Sequence, residues 1–71
     1  MKKYLVIVEK TESGYSAYSP DVPGCVAAAA TRPDVEREMH DAIELHIDGL
    51  RAAGEEVPKP RSEASYCEVA V

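Results

Sequence analysis

Pro20 and Pro23 restrict this chain more than any other pair of residues. They fall in the run Gly14 to Cys25, GYSAYSPDVPGC. Each lacks a backbone donor, fixes its own φ and pushes the residue before it out of the helical region. A half-buried strand that alternates through Tyr15 and Ala17 therefore stops at Ser19, and Ser19 to Gly24 forms a stiff exposed corner. Asp21, inside that corner, reads equally as a contact residue or as a turn former whose carboxylate accepts a bond from its own backbone.

The rest of the chain organises around the corner. Lys3 to Lys10, KYLVIVEK, is a β-branched run bounded by charge, and the polar turn Lys10 to Gly14 makes a hairpin with the next strand. Cys25 to Ala30, CVAAAA, is wedged between Gly24 and a helix-capping Thr31, and its shortness favours a third strand. Thr31 with Asp34 resembles a capping box, with Pro33 tolerated in the first turn. From there Val35, Met39, Ala42, Ile43, His46, Leu50 and Ala53 fall on one helical side with Ile47 at its edge, and Arg37, Asp41, Glu44, Asp48 and Arg51 fall opposite. Gly54 caps the helix, and Pro58 and Pro60 forbid its continuation. Ser65 to Val71, SYCEVAV, alternates Tyr66, Glu68 and Ala70 against Cys67, Val69 and Val71 as a last strand. The fold class is α+β, in the order β-β-β-α-β, with one amphipathic helix on an antiparallel sheet.

A motif set carries a resemblance. Ala17-Tyr18-Ser19-Pro20-Asp21-Val22-Pro23-Gly24-Cys25, then Thr31, Ala42-Ile43-Glu44 and Gly54-Glu55-Glu56-Val57-Pro58-Lys59-Pro60, is similar to the N-terminal domain of HicB-type antitoxins over nearly the whole chain. The family's glycine shortly before the helix-starting threonine is replaced here by Ala29-Ala30. The resemblance implies a reduced ribonuclease H-like fold. It also implies a role as the antitoxin half of a toxin-antitoxin pair, whose HicA-like toxin is a small basic protein that cleaves messenger RNA using a histidine.

Composition sets limits on function. With 71 residues the chain is read as one domain, residues 1–71, and such a domain buries only about 60% of its unfolded surface. Self-association, as a dimer or tetramer, is expected. Phe and Trp are absent, so four tyrosines are the large aromatic anchors. Eight basic against thirteen acidic residues, net −5, disfavour phosphate neutralisation and suit a basic partner. No recognition helix follows the final strand, so neither a C-terminal DNA-binding domain nor direct DNA binding is expected. Cys25 and Cys67 read as free thiols in the absence of a signal peptide. No apolar run approaches the ~20 residues of a membrane span, and a cytoplasmic protein is expected.

Catalytic chemistry finds little support. Metal-dependent hydrolysis needs converging carboxylates, and the strands offer Glu9 and Glu68 without an evident partner. Asp41, Glu44 and Asp48 cluster on the polar helix face as i, i+3 and i+4 neighbours, the pattern of a solvated charge face. His46 reads as a half-buried histidine packed on the sheet, His40 as a surface partner of Glu36, and Cys25 as a structural thiol. No phosphate loop or triad order is present. The reading is a non-enzymatic binding protein without cofactor or metal. Asp41, Glu44 and Asp48 are expected to supply charge toward a toxin, and Tyr18, Asp21 and Val22 to supply shape at the corner. Leu45, Tyr66 and Val69 are expected at an oligomer interface. The alternatives are an orphan oligomeric ligand- or protein-binding domain, and a vestigial nuclease using Glu9 or Glu68.

Overall fold

A computed structural model describes residues 1–71. Three strands, β1 (Ile7–Lys10), β2 (Tyr15–Tyr18) and β3 (Val26–Ala29), precede one long helix, α1 (Arg32–Ala52). The sheet is antiparallel in the order β1-β2-β3. Each turn follows from local chemistry. Thr11 closes the hairpin twice, its backbone N–H donating to the Gly14 carbonyl at 2.8 Å and its hydroxyl accepting from the Gly14 N–H at 3.1 Å. A Cβ on Gly14 would press into the Ala29 carbonyl and to 2.9 Å from the Ala30 Cα, so only glycine lets the hairpin approach the end of β3. At the corner, Val22 N–H donates to Ser19 and Cys25 N–H to Val22, and Gly24 takes the left-handed φ of 89° that reverses the chain into β3.

Thr31 caps α1 by accepting from the Asp34 N–H at 3.3 Å. At the other end Gly54 adopts φ 71°, with its N–H bonded to the Arg51 carbonyl and the Glu55 N–H to that of Leu50. That double closure is a Schellman motif, which satisfies carbonyls the helix leaves open.

The core lies between one sheet face and α1. Ala17, Val22, Cys25, Val35, Met39 and Ile43 are buried, with Tyr4, Val6, Val8, Tyr15, Ala27, Ala29 and Ile47 packed around them. Because side chains alternate along strands, Val8, Ala17 and Ala27 point to the helix, while the register row Ile7, Tyr18 and Val26 points to the opposite face.

Three expectations change. The first strand pairs only from Ile7, because β2 turns away at Pro20, which has no N–H to offer; the Ser19 hydroxyl instead donates to the Leu5 carbonyl at 2.8 Å. Ser65–Val71 forms no strand in the single chain. The helix packs chiefly over β3 and β2 and barely over β1, so a fourth strand beside β1 would have no helix above its apolar side. The buried helical stripe is Val35, Met39 and Ile43, continuing to half-buried Ile47, whereas His46 is exposed rather than packed on the sheet. A step of four residues from Ile43 falls on Ile47, and His46 lies one residue off that line.

Candidate functional site

After α1 the chain returns across the domain, held by two long-range ties. The Tyr4 hydroxyl donates to the Pro58 carbonyl at 2.6 Å. The Asp21 carboxylate accepts from the backbone N–H groups of Arg61 and Ser62, both at 2.7 Å, and from the Ser62 hydroxyl at 2.8 Å. Asp21 is therefore neither a free contact nor a bond to its own turn. It is a clamp on a segment 40 residues downstream. The N–H groups of Ser62 and Arg61 hold its carboxyl below its ordinary value of 3.8.

A carboxylate whose folded pKa is depressed contributes stability that is present above its unfolded value and lost as pH falls through the folded one. The clamp is complete at neutral pH and opens in acid, below pH 3.8. Protection of the Arg61 and Ser62 amides against exchange, relative to the intrinsic rate at each pH, is expected to be high at pH 7, to fall in that acid range, and to be lost already at pH 7 in Asp21→Ala; protection kept at both amides in that variant would show that something else holds the segment.

Between the N-terminal segment and α1 lies a groove about 1110 Å³ in volume. Tyr4, Val6, Ile43 and Ile47 supply its apolar part, Glu36, Glu44 and Asp48 an acidic rim along the helix, and Lys2 and Lys3 stand across from them. The rim follows from i, i+4 spacing, which stacks residues 36, 40, 44 and 48 on one helical line. His40 joins that line: its Nδ1 lies 3.5 Å from Asp41 and its Nε2 3.7 Å from Glu44. It does not pair with Glu36, which instead accepts from Arg32 at 3.3 Å.

The residues expected to bind a partner thus separate. Glu44 and Asp48 edge the groove, and Asp41 stands beside it, linked to Glu44 through His40. Tyr18, 43% exposed, lies on the far face of the sheet in the row with Ile7 and Val26. Val22 is 0% exposed and belongs to the core; two prolines stiffen the corner, but its valine turns inward under the helix. Leu45 is exposed on α1, and Tyr66 and Val69 are exposed on the terminal segment. The clamp and the apolar half of the groove were missed in the sequence, where Asp21 read as a contact residue or a turn former.

Other reactive groups are placed apart. His40, Asp41 and Glu44 are the one set of three potential ligands whose atoms converge, within 4.8 Å, and all are exposed. Glu9 and Glu68 join no such set. Cys25 is buried, its thiol directed at the Ala42 carbonyl 3.8 Å away, and burial pushes its pKa up, away from a reactive thiolate. Cys67 is exposed and free. No helix is long and apolar enough to cross a membrane.

Comparison with known proteins agrees with this architecture. The family model described as HicB-like antitoxin of bacterial toxin-antitoxin system matches residues 4–69. The chain belongs to the HicB-like antitoxin family. Among solved structures, a chain of a "HicA3 and HicB3 toxin-antitoxin complex" superposes with a TM-score of 0.71 and 32% identity, covering 84% of this chain and 70% of that one. The α+β fold of three antiparallel strands followed by a helix is thus the HicB-like fold. An uncharacterised 14.9 kDa protein of Haemophilus phage HP1 is 36% identical over 63 residues, 89% of this chain and 47% of the phage protein. A UPF0150 protein of Helicobacter pylori is 37% identical over 46 residues, 65% of this chain and 64% of its own length. A UPF0150 protein of Synechocystis is 37% identical over 57 residues, covering 79% and 72%. This HicB-like domain therefore spans about half the length of the phage relative and under two thirds of the Helicobacter one.

Proposed function

We propose that this HicB-like domain acts in the cytoplasm as an antitoxin, binding a small basic toxin of the HicA type and stopping its cleavage of messenger RNA by covering the active site. It acts by occlusion and performs no chemistry itself, with no cofactor. The observation that carries the reading is the groove beside α1. An apolar strip lies next to the acidic rim of Glu36, Glu44 and Asp48, with Lys2, Lys3 and Arg51 also on the lining, and a basic surface with an apolar centre would fill the acidic side. Opposed charge speeds encounter and fixes orientation, while the desolvated apolar strip supplies affinity. Asp41 extends the rim through His40, and Tyr18, on the other side of the sheet, is not part of this surface.

Growth decides the matter. Expression of a small basic reading frame neighbouring this gene is expected to arrest growth alone and to leave growth normal when this protein is co-expressed. Arrest that persists with abundant folded antitoxin, or no arrest in either case, would overturn the assignment.

A further inference from the structure

His40 turns each of its ring nitrogens toward a carboxylate. Nδ1 lies 3.5 Å from Asp41 and Nε2 lies 3.7 Å from Glu44, both beyond the roughly 2.7–3.2 Å of an ordinary N–H···O bond. A neutral imidazole has one proton, so one nitrogen is a donor and the other a lone pair. Whichever nitrogen lacks the proton therefore sets its lone pair against a carboxylate oxygen, acceptor facing acceptor. A cation resolves that contact, either a second proton on the ring or an ion held between the two groups. Lys2 and Lys3 stand across the groove, but neither forms an ion pair with Asp41 or Glu44.

The gap at Nε2 suits an ion. Two ligand atoms on a tetrahedral zinc with bonds of about 2.0 Å stand about 3.3 Å apart, so a small side-chain rotation brings Nε2 and Glu44 to that spacing. The two residues are one helical turn apart, at i and i+4, in the middle of α1, whose ends Thr31 and Gly54 close. Their backbone separation is thus fixed before any ion arrives, and binding orders only side chains. Asp41 is the nearer carboxylate and draws the ring's proton to Nδ1, which leaves the Nε2 lone pair toward Glu44. A carboxylate behind a histidine, setting its tautomer while the other nitrogen ligates, recurs at metal-bound imidazoles. All three side chains are exposed, which leaves room for water on the ion. His46, exposed on the same helix, has Ala42, Ile43, Gly49 and Leu50 at the adjoining helical positions and no carboxylate among them.

We propose that His40 and Glu44 bind a divalent transition metal of the zinc class, with Asp41 as the positioning residue and water completing the coordination. The imidazole nitrogen selects zinc, nickel or copper over magnesium and calcium, which take oxygen ligands. By spacing alone Asp41 and Glu44 are a solvated charge face; the histidine between them makes the difference. Because Glu44 also edges the groove, a bound dication offsets the two carboxylates and removes charge from the acidic side. Zinc then slows capture of a basic toxin, a consequence that rests on the antitoxin reading, whereas the binding itself does not.

Zinc chloride titrated into the 71-residue protein tests the site, in a Cys67→Ser background that removes the exposed free thiol as a competing ligand. Calorimetry is expected to give a single zinc per chain. Nitrogen NMR of the imidazoles is expected to show the Nε2 resonance of His40 moving, its Nδ1 keeping the proton, and His46 unchanged. His40→Ala and Glu44→Ala are each expected to abolish binding, and His46→Ala to leave it intact, with helix content preserved throughout. Asp41→Ala is expected to weaken binding about tenfold or more and to move zinc-free His40 toward the Nε2–H tautomer, which a merely structural role would not do. No zinc uptake, uptake retained in His40→Ala, zinc on His46, equal competition by magnesium, or both His40 nitrogens protonated at saturating zinc would each overturn the proposal. Uptake is read on the protein without a toxin, so failure of the site and failure of the antitoxin reading are distinguishable.

Discussion

Met39→Ala is expected to lower the unfolding free energy by about 2–5 kcal/mol and the melting temperature by on the order of 10–30 °C. Met39 is 0% exposed and lies between Val35 and Ile43 on the helical line that meets the sheet. Its opposing surface is β2 and β3, whose inward side chains are Tyr15 and the three alanines Ala17, Ala27 and Ala29. Alanine facing alanine cannot close the space a methionine leaves, so the cavity persists and its cost adds to the lost transfer energy. A chain of 71 residues commands a total of only roughly 4–10 kcal/mol. Thermal and urea unfolding followed by circular dichroism, at one fixed protein concentration, checks this. A loss under about 1 kcal/mol would mean that the helix is free to settle onto the sheet.

Changing Glu44 and Asp48 together to lysine is expected to slow association with the toxin about tenfold or more at low salt, and to leave the fold intact because both side chains are exposed. The two residues are one helical turn apart on the groove rim, so reversing both inverts the local field that orients a basic partner. The deficit should shrink as salt rises, since charges more than about 8–10 Å apart are screened near physiological ionic strength. Stopped-flow association rates at two salt concentrations measure it. Glu12→Lys, in the β1–β2 turn, is the control, and an equal slowing there would locate the effect in net charge rather than in the rim.

Much of the fold was legible because local chemistry decided it. Pro20, Gly24, Thr31 and Gly54 each act within a few residues of themselves, and the corner, the start of β3 and both ends of α1 fall where they indicated. Errors arose where a distant partner chooses. Whether Ile47 or His46 turns inward depends on how far the sheet extends beneath the helix, which periodicity alone does not contain. Val22 looked exposed because it sits between two prolines, yet its burial is set by α1 crossing overhead. Asp21 bonds with Arg61 and Ser62, and nothing in GYSAYSPDVPGC announces a partner on the far side of the helix. The terminal alternation predicted a last strand and none forms over residues 65–71, because alternation does not supply the pairing edge that a strand needs.

The two ties across the domain also bear on the order in which the protein is made. Tyr4 waits 54 residues for Pro58, and Asp21 waits 41 for Ser62. Synthesis runs at about 5–20 residues per second, so the stretch from Ala52 to Ser62 follows the end of α1 within about one or two seconds. Until then Tyr4 lacks its Pro58 acceptor and the Asp21 carboxylate faces water. Every residue that lines the groove, from Met1 to Arg51, is thus made before the segment whose ties to Tyr4 and Asp21 close the domain.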